Sequence, residues 1–244
     1  MHVIPVLDVL NGVAVHAVRG RRKEYKPLLS VLCRSADPLD VAKALAGLGF
    51  IELYVADLDA IMGGKTSFSL FRKVADETGL ELMVDTGVAD LDRARRTVDS
   101  RIAKVVIGTE TLQDAEFVGE AVDALGEDRV VVSLDMMGGK VLSKLNRSVG
   151  AKPMDLLRTF QKMGVKQFIL LDLARVGSSE GVNLQVLEEA VAVLNAKVLV
   201  GGGVRDIEDL VALKNLGVTG VLLATALHSG KISPDELRRE GLLG

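Results

Sequence analysis

Four aspartates follow directly on short apolar runs: Asp8 after VIPVL, Asp57 after IELYVA, Asp135 after RVVVSL and Asp172 after KQFILL. A carboxyl at the end of a buried strand either caps the next loop, by accepting backbone N–H bonds, or faces a ligand and moves a proton. Two carboxyls on opposite sides of a ligand can divide the work of acid and base. Asp8 and Asp135 are read as that catalytic pair. Asp57 and Asp172 lean towards orienting roles at the edge of the site.

A second kind of chemistry is written in Gly201-Gly202-Gly203 and in Ala224-Thr225-Ala226. Glycines let backbone N–H groups approach an anion, and a helix opening near Asp206 would add the positive end of its dipole. Gly202, Gly203, Ala224 and Thr225 are therefore the expected phosphate-binding residues, against the plainer reading of a tight turn. The corresponding stretch earlier in the chain, Asp85-Thr86-Gly87, carries a carboxylate that would repel phosphate, so one strong phosphate site is expected. Asp85, Thr86, Thr109, Ser178 and Arg19 complete the candidate ligand contacts, with Asp57 and Asp172 beside them. The loop holding Arg19, Arg21, Arg22, Lys23 and Lys26 is either a cationic lid or a solvated basic loop. His2, His16 and His228 lack metal-ligand spacing, and the single cysteine, Cys33, is given no catalytic role. No metal and no cofactor are expected.

Something must bring these residues together. Eight runs rich in Val, Ile and Leu recur at 3–7, 51–55, 80–84, 103–108, 129–134, 166–171, 196–200 and 220–224. Their continuous apolar character predicts strands buried on both faces. Between them, helical periodicity marks Pro38–Leu48, Met154–Met163 and Ile207–Leu216. Asp37-Pro38 and Ser233-Pro234 pair an N-cap with Pro at the first helical position, and Gly164 and Gly217 stand where a helix would stop. Strand and helix in alternation predict an α/β fold with a parallel sheet.

An internal repeat decides between a closed and an open sheet. VIPVLDVLNGVAV (3–15) resembles VVVSLDMMGGKVL (130–142), YVADLDA (54–60) resembles ILLDLAR (169–175), VDTGVADLD (84–92) resembles VGGGVRDIE (200–208), and VVIGTETL (105–112) resembles VLLATALH (221–228). The first four runs map onto the last four in order. The expectation is one (β/α)8 TIM barrel over 1–244, built from half-barrels of approximately 1–125 and 126–244, with its functional face at the C-terminal ends of the strands.

Composition bounds the partners. Hydrophobic residues make up 48%, charged residues 26% and aromatic residues 3%, with a net charge of −3. This is the make-up of a soluble globular protein with no affinity for nucleic acid or membrane. A lone cysteine, and a first strand that begins almost at Met1 and leaves no room for a signal peptide, point to the cytoplasm. Homo-oligomerisation is compatible with this reading.

Taken together, IPVLDVLNG (4–12), VADLDA (55–60), VVIGTETL (105–112), VVSLDMMGGKV (131–141), VGGGVRDIEDL (200–210) and ALHSGKIS (226–233) resemble the histidine-biosynthesis barrel family. That family includes phosphoribosylformimino-aminoimidazole-carboxamide ribotide (ProFAR) isomerase and the cyclase subunit of imidazole glycerol phosphate synthase, and the isomerase branch is the closer. The resemblance implies that Asp8 corresponds to the family's catalytic base and Asp135 to its acid. It also implies that Gly202, Gly203, Ala224 and Thr225 correspond to the second-half phosphate site, and that the chemistry is an Amadori rearrangement without metal or organic cofactor. Departures stand beside it: Leu171 where the isomerase has Thr, Val176-Gly177-Ser178 for Asp-Gly-Thr, Asp85-Thr86-Gly87 with Ala89 for Gly-Gly-Gly with Arg, and His16 for a basic residue. With Arg21-Arg22, Tyr25, Pro27-Leu28 and Leu32-Cys33, the chain is similar to a divergent branch related to ProFAR isomerase in methanogenic archaea and some methylotrophs. The expected function is isomerase-type acid–base chemistry on a small phosphorylated sugar or ribotide-like metabolite. The alternatives are a genuine ProFAR isomerase of histidine biosynthesis, and a non-catalytic barrel that binds a phosphometabolite or a protein.

Overall fold

A computed structural model describes residues 1–145 and 152–243. The first half of the chain runs β1 (His2–Leu10), β2 (Val13–His16), β3 (Lys26–Pro27), α1 (Pro38–Gly47), β4 (Glu52–Asp57), α2 (Leu58–Ile61), α3 (Phe68–Thr78), β5 (Glu81–Asp85), α4 (Leu91–Asp99), β6 (Lys104–Gly108) and α5 (Glu116–Leu125). The second half runs β7 (Val130–Met137), β8 (Lys140–Val141), α6 (Pro153–Lys162), β9 (Gln167–Asp172), α7 (Leu184–Val193), β10 (Lys197–Gly201), α8 (Ile207–Leu216), β11 (Gly220–Leu223), α9 (Thr225–His228) and α10 (Pro234–Arg239).

Eight parallel strands follow one another in the order β1-β4-β5-β6-β7-β9-β10-β11, and β11 pairs back with β1, closing the sheet. This is a (β/α)8 TIM barrel, and all eight apolar runs in the sequence become its strands. The three helices marked by periodicity become α1, α6 and α8, within a residue or so at each end. Asp37 caps α1 through bonds from the Leu39 and Asp40 N–H groups. Ser233 and Glu236 form a reciprocal capping box at α10.

Closure sorts strand side chains into two cores. One set points outward and packs under the helices, including Leu7, Val9, Leu53, Val55, Leu82, Val84, Leu134 and Leu170. The other fills the bore with Ile4, Tyr54, Ala56, Met83, Val106, Val131, Ile169, Leu199 and Leu222. The register carries the bore's parity up to the mouth: Asp8 is level with Ala56, Ala56 with Asp85, Gly108 with Ser133, Asp135 with Leu171, and Leu171 with Gly201. Asp8, Asp85 and Asp135 thereby point inward. Asp57 and Asp172 are one residue out of step, and point away from the bore.

The helix layer depends on the outer core. Phe160 of α6 is fully buried in it. Phe160→Ala is expected to lower unfolding free energy by about 3–5 kcal/mol, seen as a lower urea midpoint at an unchanged denaturant slope. A loss within experimental error would show that α6 does not anchor the fold.

Candidate active site

The inward residues at the C-terminal ends of the strands open on a cavity at the mouth of the barrel. Asp8, Asp85, Asp135 and Glu110 line it together with Gly202, Gly203, Ala224 and Thr225; β1, which carries Asp8, pairs with β11, which leads into Ala224 and Thr225. Arg22 and Tyr25 enter from the segment between β2 and β3, and Tyr54 rises from the bore.

Asp135 is the most constrained of the acids. Its Oδ1 accepts from the Ser133 hydroxyl at 2.7 Å and its Oδ2 from the Glu110 N–H at 3.1 Å. Its own N–H donates to Thr109 Oγ1 at 3.0 Å. Burial pushes its carboxyl up to about 6, and the bonds from Ser133 and Glu110 hold it from going higher. Asp85 is also buried. Its Oδ1 accepts from the Gly87 N–H at 2.8 Å, whereas no hydrogen bond reaches Oδ2 from the described residues. Burial, and then the charge of Asp135, push Asp85 up to about 7.

Gly108 shows how near these two acids are. A Cβ at position 108 would meet Asp135 Oδ2 at 2.9 Å and Asp85 Oδ2 at 3.2 Å. The two carboxyls share the space that a side chain on β6 would take. Asp8 is half-buried at the end of β1, and burial raises it to about 7 against the opposing pull of the Arg22 guanidinium. Arg22 itself bonds Glu110 Oε2 at 2.6 Å.

The glycine side of the cavity is made of backbone. Gly202 and Gly203 have φ of +91° and +96°. A Cβ at Gly202 would lie 2.8 Å from the Asp172 carbonyl, and one at Gly203 would collide with the Gly181 carbonyl. The segment after β9 crosses so closely that only glycine fits. Thr225 Oγ1 is 3.0 Å from His16 Nε2, which ties the end of β2 to the start of α9. The helix-dipole expectation needs correction. The α8 N-terminus is capped by Asp206 and carries Glu208 and Asp209 in its first turn, so its positive end is already met by carboxylates. Any anion here would rely on loop N–H groups and the Thr225 hydroxyl.

The remaining candidates are placed as follows. Asp57 accepts from the Ala60 and Ser67 N–H groups at 3.2 and 3.0 Å, and caps α2 outside the cavity. Asp172 accepts from the Gly138 and Ala174 N–H groups, each at 3.1 Å, and from the Asn183 amide at 3.3 Å. Thr86 is buried with its hydroxyl 3.5 Å from that of Thr97. Ser178 donates to the Arg175 carbonyl at 2.8 Å, and its neighbour Ser179 lines the cavity instead. Arg19 pairs with Glu180 on the segment after β9. The basic segment is therefore neither free nor simply solvated: Arg19 anchors it on one side of the mouth and Arg22 on the other.

Arg22, Tyr25, Tyr54 and Glu110 are cavity residues that the motif reading did not single out as contacts. Arg22 and Tyr25 stand in the basic loop, where composition alone does not separate a cavity-facing Arg from its exposed neighbours. Tyr54 is signalled only by strand parity.

Raised carboxyl values have a thermodynamic sign. In the folded state these groups hold protons that the unfolded chain releases near the ordinary carboxylate range. Their contribution is full below that range and is lost as pH rises through the folded values near 6 and 7. The ligand-free protein is expected to lose stability from weakly acidic to weakly alkaline pH. Asp85→Asn, which cannot ionise, should flatten that decline by on the order of 2 kcal/mol. Urea midpoints across the pH series decide it, and an equally steep decline in the variant would remove Asp85 from the account.

The chain matches the profile of the family described as histidine biosynthesis protein over residues 2–233. It is 35% identical to an uncharacterized protein of Methanocaldococcus jannaschii over 241 residues, 97% of each chain. It is 30% identical over 233 residues to a 1-(5-phosphoribosyl)-5-((5-phosphoribosylamino)methylideneamino)imidazole-4-carboxamide isomerase of Thermus thermophilus, covering 95% of this chain and 96% of that one. The isomerase of the same name from Dehalococcoides mccartyi is 29% identical over 238 residues, 96% of each. A closed eight-stranded barrel with acids at its mouth, matched along nearly its whole length, belongs to the histidine biosynthesis protein family and is related to ProFAR isomerase.

Proposed function

We propose that this chain is a cofactor-independent enzyme performing isomerase-type acid–base chemistry on a small sugar or ribotide-like substrate with one phosphate. The observation that carries the reading is that one cavity is lined both by Asp8 and Asp135 and by the backbone loop Gly202-Gly203 and Thr225. Carboxyls raised to about 7 and about 6 exchange protons near neutral pH, where an ordinary carboxylate is too weak a base and too fully ionised to be an acid.

In the proposed reaction the phosphate lies on the N–H groups of the 202–204 loop and on Thr225. Asp135 gives a proton to the ring oxygen of an aminoaldose as the ring opens to an iminium. Asp8 takes the proton from the adjacent carbon, and the electron pair left behind neutralises the iminium to give an enolamine. Tautomerisation yields the aminoketose, and a proton returned through solvent restores Asp135. Ser133 and Thr109 act as positioning residues through their bonds to Asp135. Asp57 and Asp172 shape the rim through the loops they cap. In this reading Thr86 and Ser178 are likewise loop-holding, and Arg19 belongs to the segment spanning the mouth.

Asp8→Asn is expected to lower kcat by about 10²–10⁴-fold while the protein still folds and melts cooperatively. Activity equal to wild type would eliminate Asp8 as the base. A second reading, a genuine ProFAR isomerase, draws on the full-length isomerase relatives at about 30% identity. Growth of a histidine auxotroph lacking that enzyme, when supplied with this chain, would establish it. No growth, combined with turnover of a monophosphate, favours the first reading.

A further inference from the structure

The part of the cavity away from the glycines has an unbalanced charge. Asp8, Asp85, Asp135 and Glu110 line the cavity, and among the described residues that line it Arg22 is the one cation, already bonded to Glu110. Asp85 and Asp135 converge on the space over Gly108. Asp85 Oδ2 has no hydrogen-bond partner among the described residues. A second and independent observation lies beside them. Tyr54 is 5% exposed, lines the cavity and makes no hydrogen bond among the described residues. It lines the same cavity as Asp85, Asp135, Asp8 and Glu110, on the strand that pairs with the one ending in Asp85. Buried phenols ordinarily find a partner. An unpaired phenol and an unpaired carboxylate oxygen facing one space describe a place for a ligand group.

Resting on the one-phosphate reading above, we propose that this end of the cavity receives a protonated amine, so that the substrate carries a phosphate at one end and a cationic nitrogen at the other. An ammonium has three N–H donors and no acceptor, and Asp85 Oδ2, the Tyr54 oxygen and the rim of Asp135 offer acceptors alone or in part. A second phosphate would face three carboxyls with no free cation. At mildly alkaline pH, where Asp85 ionises, a hydroxyl would satisfy a hydrogen bond but leave that charge uncompensated in a buried site. Among the described residues no three His, Cys, Asp or Glu side chains are grouped to hold a metal ion. The amine also has a catalytic consequence: a cation beside Asp135 favours its ionised form and so helps its proton leave towards the substrate. Asp85 is thereby a specificity residue, standing where the repeat places Gly201 in the second half.

The test is calorimetric titration of the intact chain at mildly alkaline pH with alkyl phosphates, ω-aminoalkyl phosphates and alkane-α,ω-bisphosphates, each with chains of three to seven carbons. The best aminoalkyl phosphate is expected to bind about tenfold more tightly than the alkyl phosphate of equal length, and more tightly than any bisphosphate. In Asp85→Asn that advantage should fall below about threefold, while the alkyl phosphates bind as in wild type and report an intact phosphate end. If the alkyl phosphates bind and the amine adds nothing, or its advantage survives in the variant, the amine site is overturned and the one-phosphate reading stands. Preferential binding of a bisphosphate overturns both, as does the absence of binding by every phosphate.

Discussion

Closing eight strands into a ring leaves each strand residue one of two addresses, the bore or the helix layer, and the register between neighbours passes that assignment around the ring. Because Asp8 is level with Ala56 and Ala56 with Asp85, all three must share an address. The same rule excludes Asp57 and Asp172, each one residue further along its strand. Two kinds of strand-end aspartate result from one geometric constraint: some reach the cavity, and others bind backbone N–H groups outside it. The bore below is packed with Ile4, Met83, Val106, Val131, Ile169 and Leu199, so a ligand can enter only at the mouth.

The electrostatics of the mouth follow from that packing. Low-dielectric side chains beneath the acids deprive them of water, and this, more than their mutual repulsion, raises their proton affinity. The cations that could relieve them are mostly engaged elsewhere. Arg175 donates to the Gly181 carbonyl, Arg205 pairs with Asp209, and Arg19 pairs with Glu180. Glu110 holds Arg22 at the edge of the cluster. The site is thus polarised along its length, from a neutral backbone loop at one end to an acid-rich recess at the other.

Much of the architecture was legible in the chain because its signals are local or repeated. Eight apolar runs gave the strands, and Asp37-Pro38 and Ser233-Pro234 gave helix starts. The four matched segment pairs favoured closure over an open sheet. What the sequence could not display was address. A strand buried on both faces has no polar alternation, so nothing in ELYVAD separates the inward Tyr54 from the outward Asp57. The hairpins carry a weaker signal: Asn11-Gly12, at φ of 52° and 76°, makes the turn between β1 and β2, but in the sequence it sits inside a repeated segment next to a four-residue strand. Tertiary pairings such as Arg22 with Glu110 join residues far apart in the chain, and no spacing rule reaches them.

The segment between β2 and the 3-10 turn at Arg22–Glu24 joins parts of the barrel that are distant in sequence. Its Arg19 N–H bonds the Val176 carbonyl, its Arg19 side chain meets Glu180, and its Arg22 meets Glu110 after β6. Partly exposed ion pairs of this kind contribute about 1 kcal/mol or less each. The roof is consequently fastened by weak clasps at two ends, beside the packing of Tyr25 against the bore. Its release falls to thermal motion and to the salt around it, and the traffic of molecules through the mouth inherits that sensitivity.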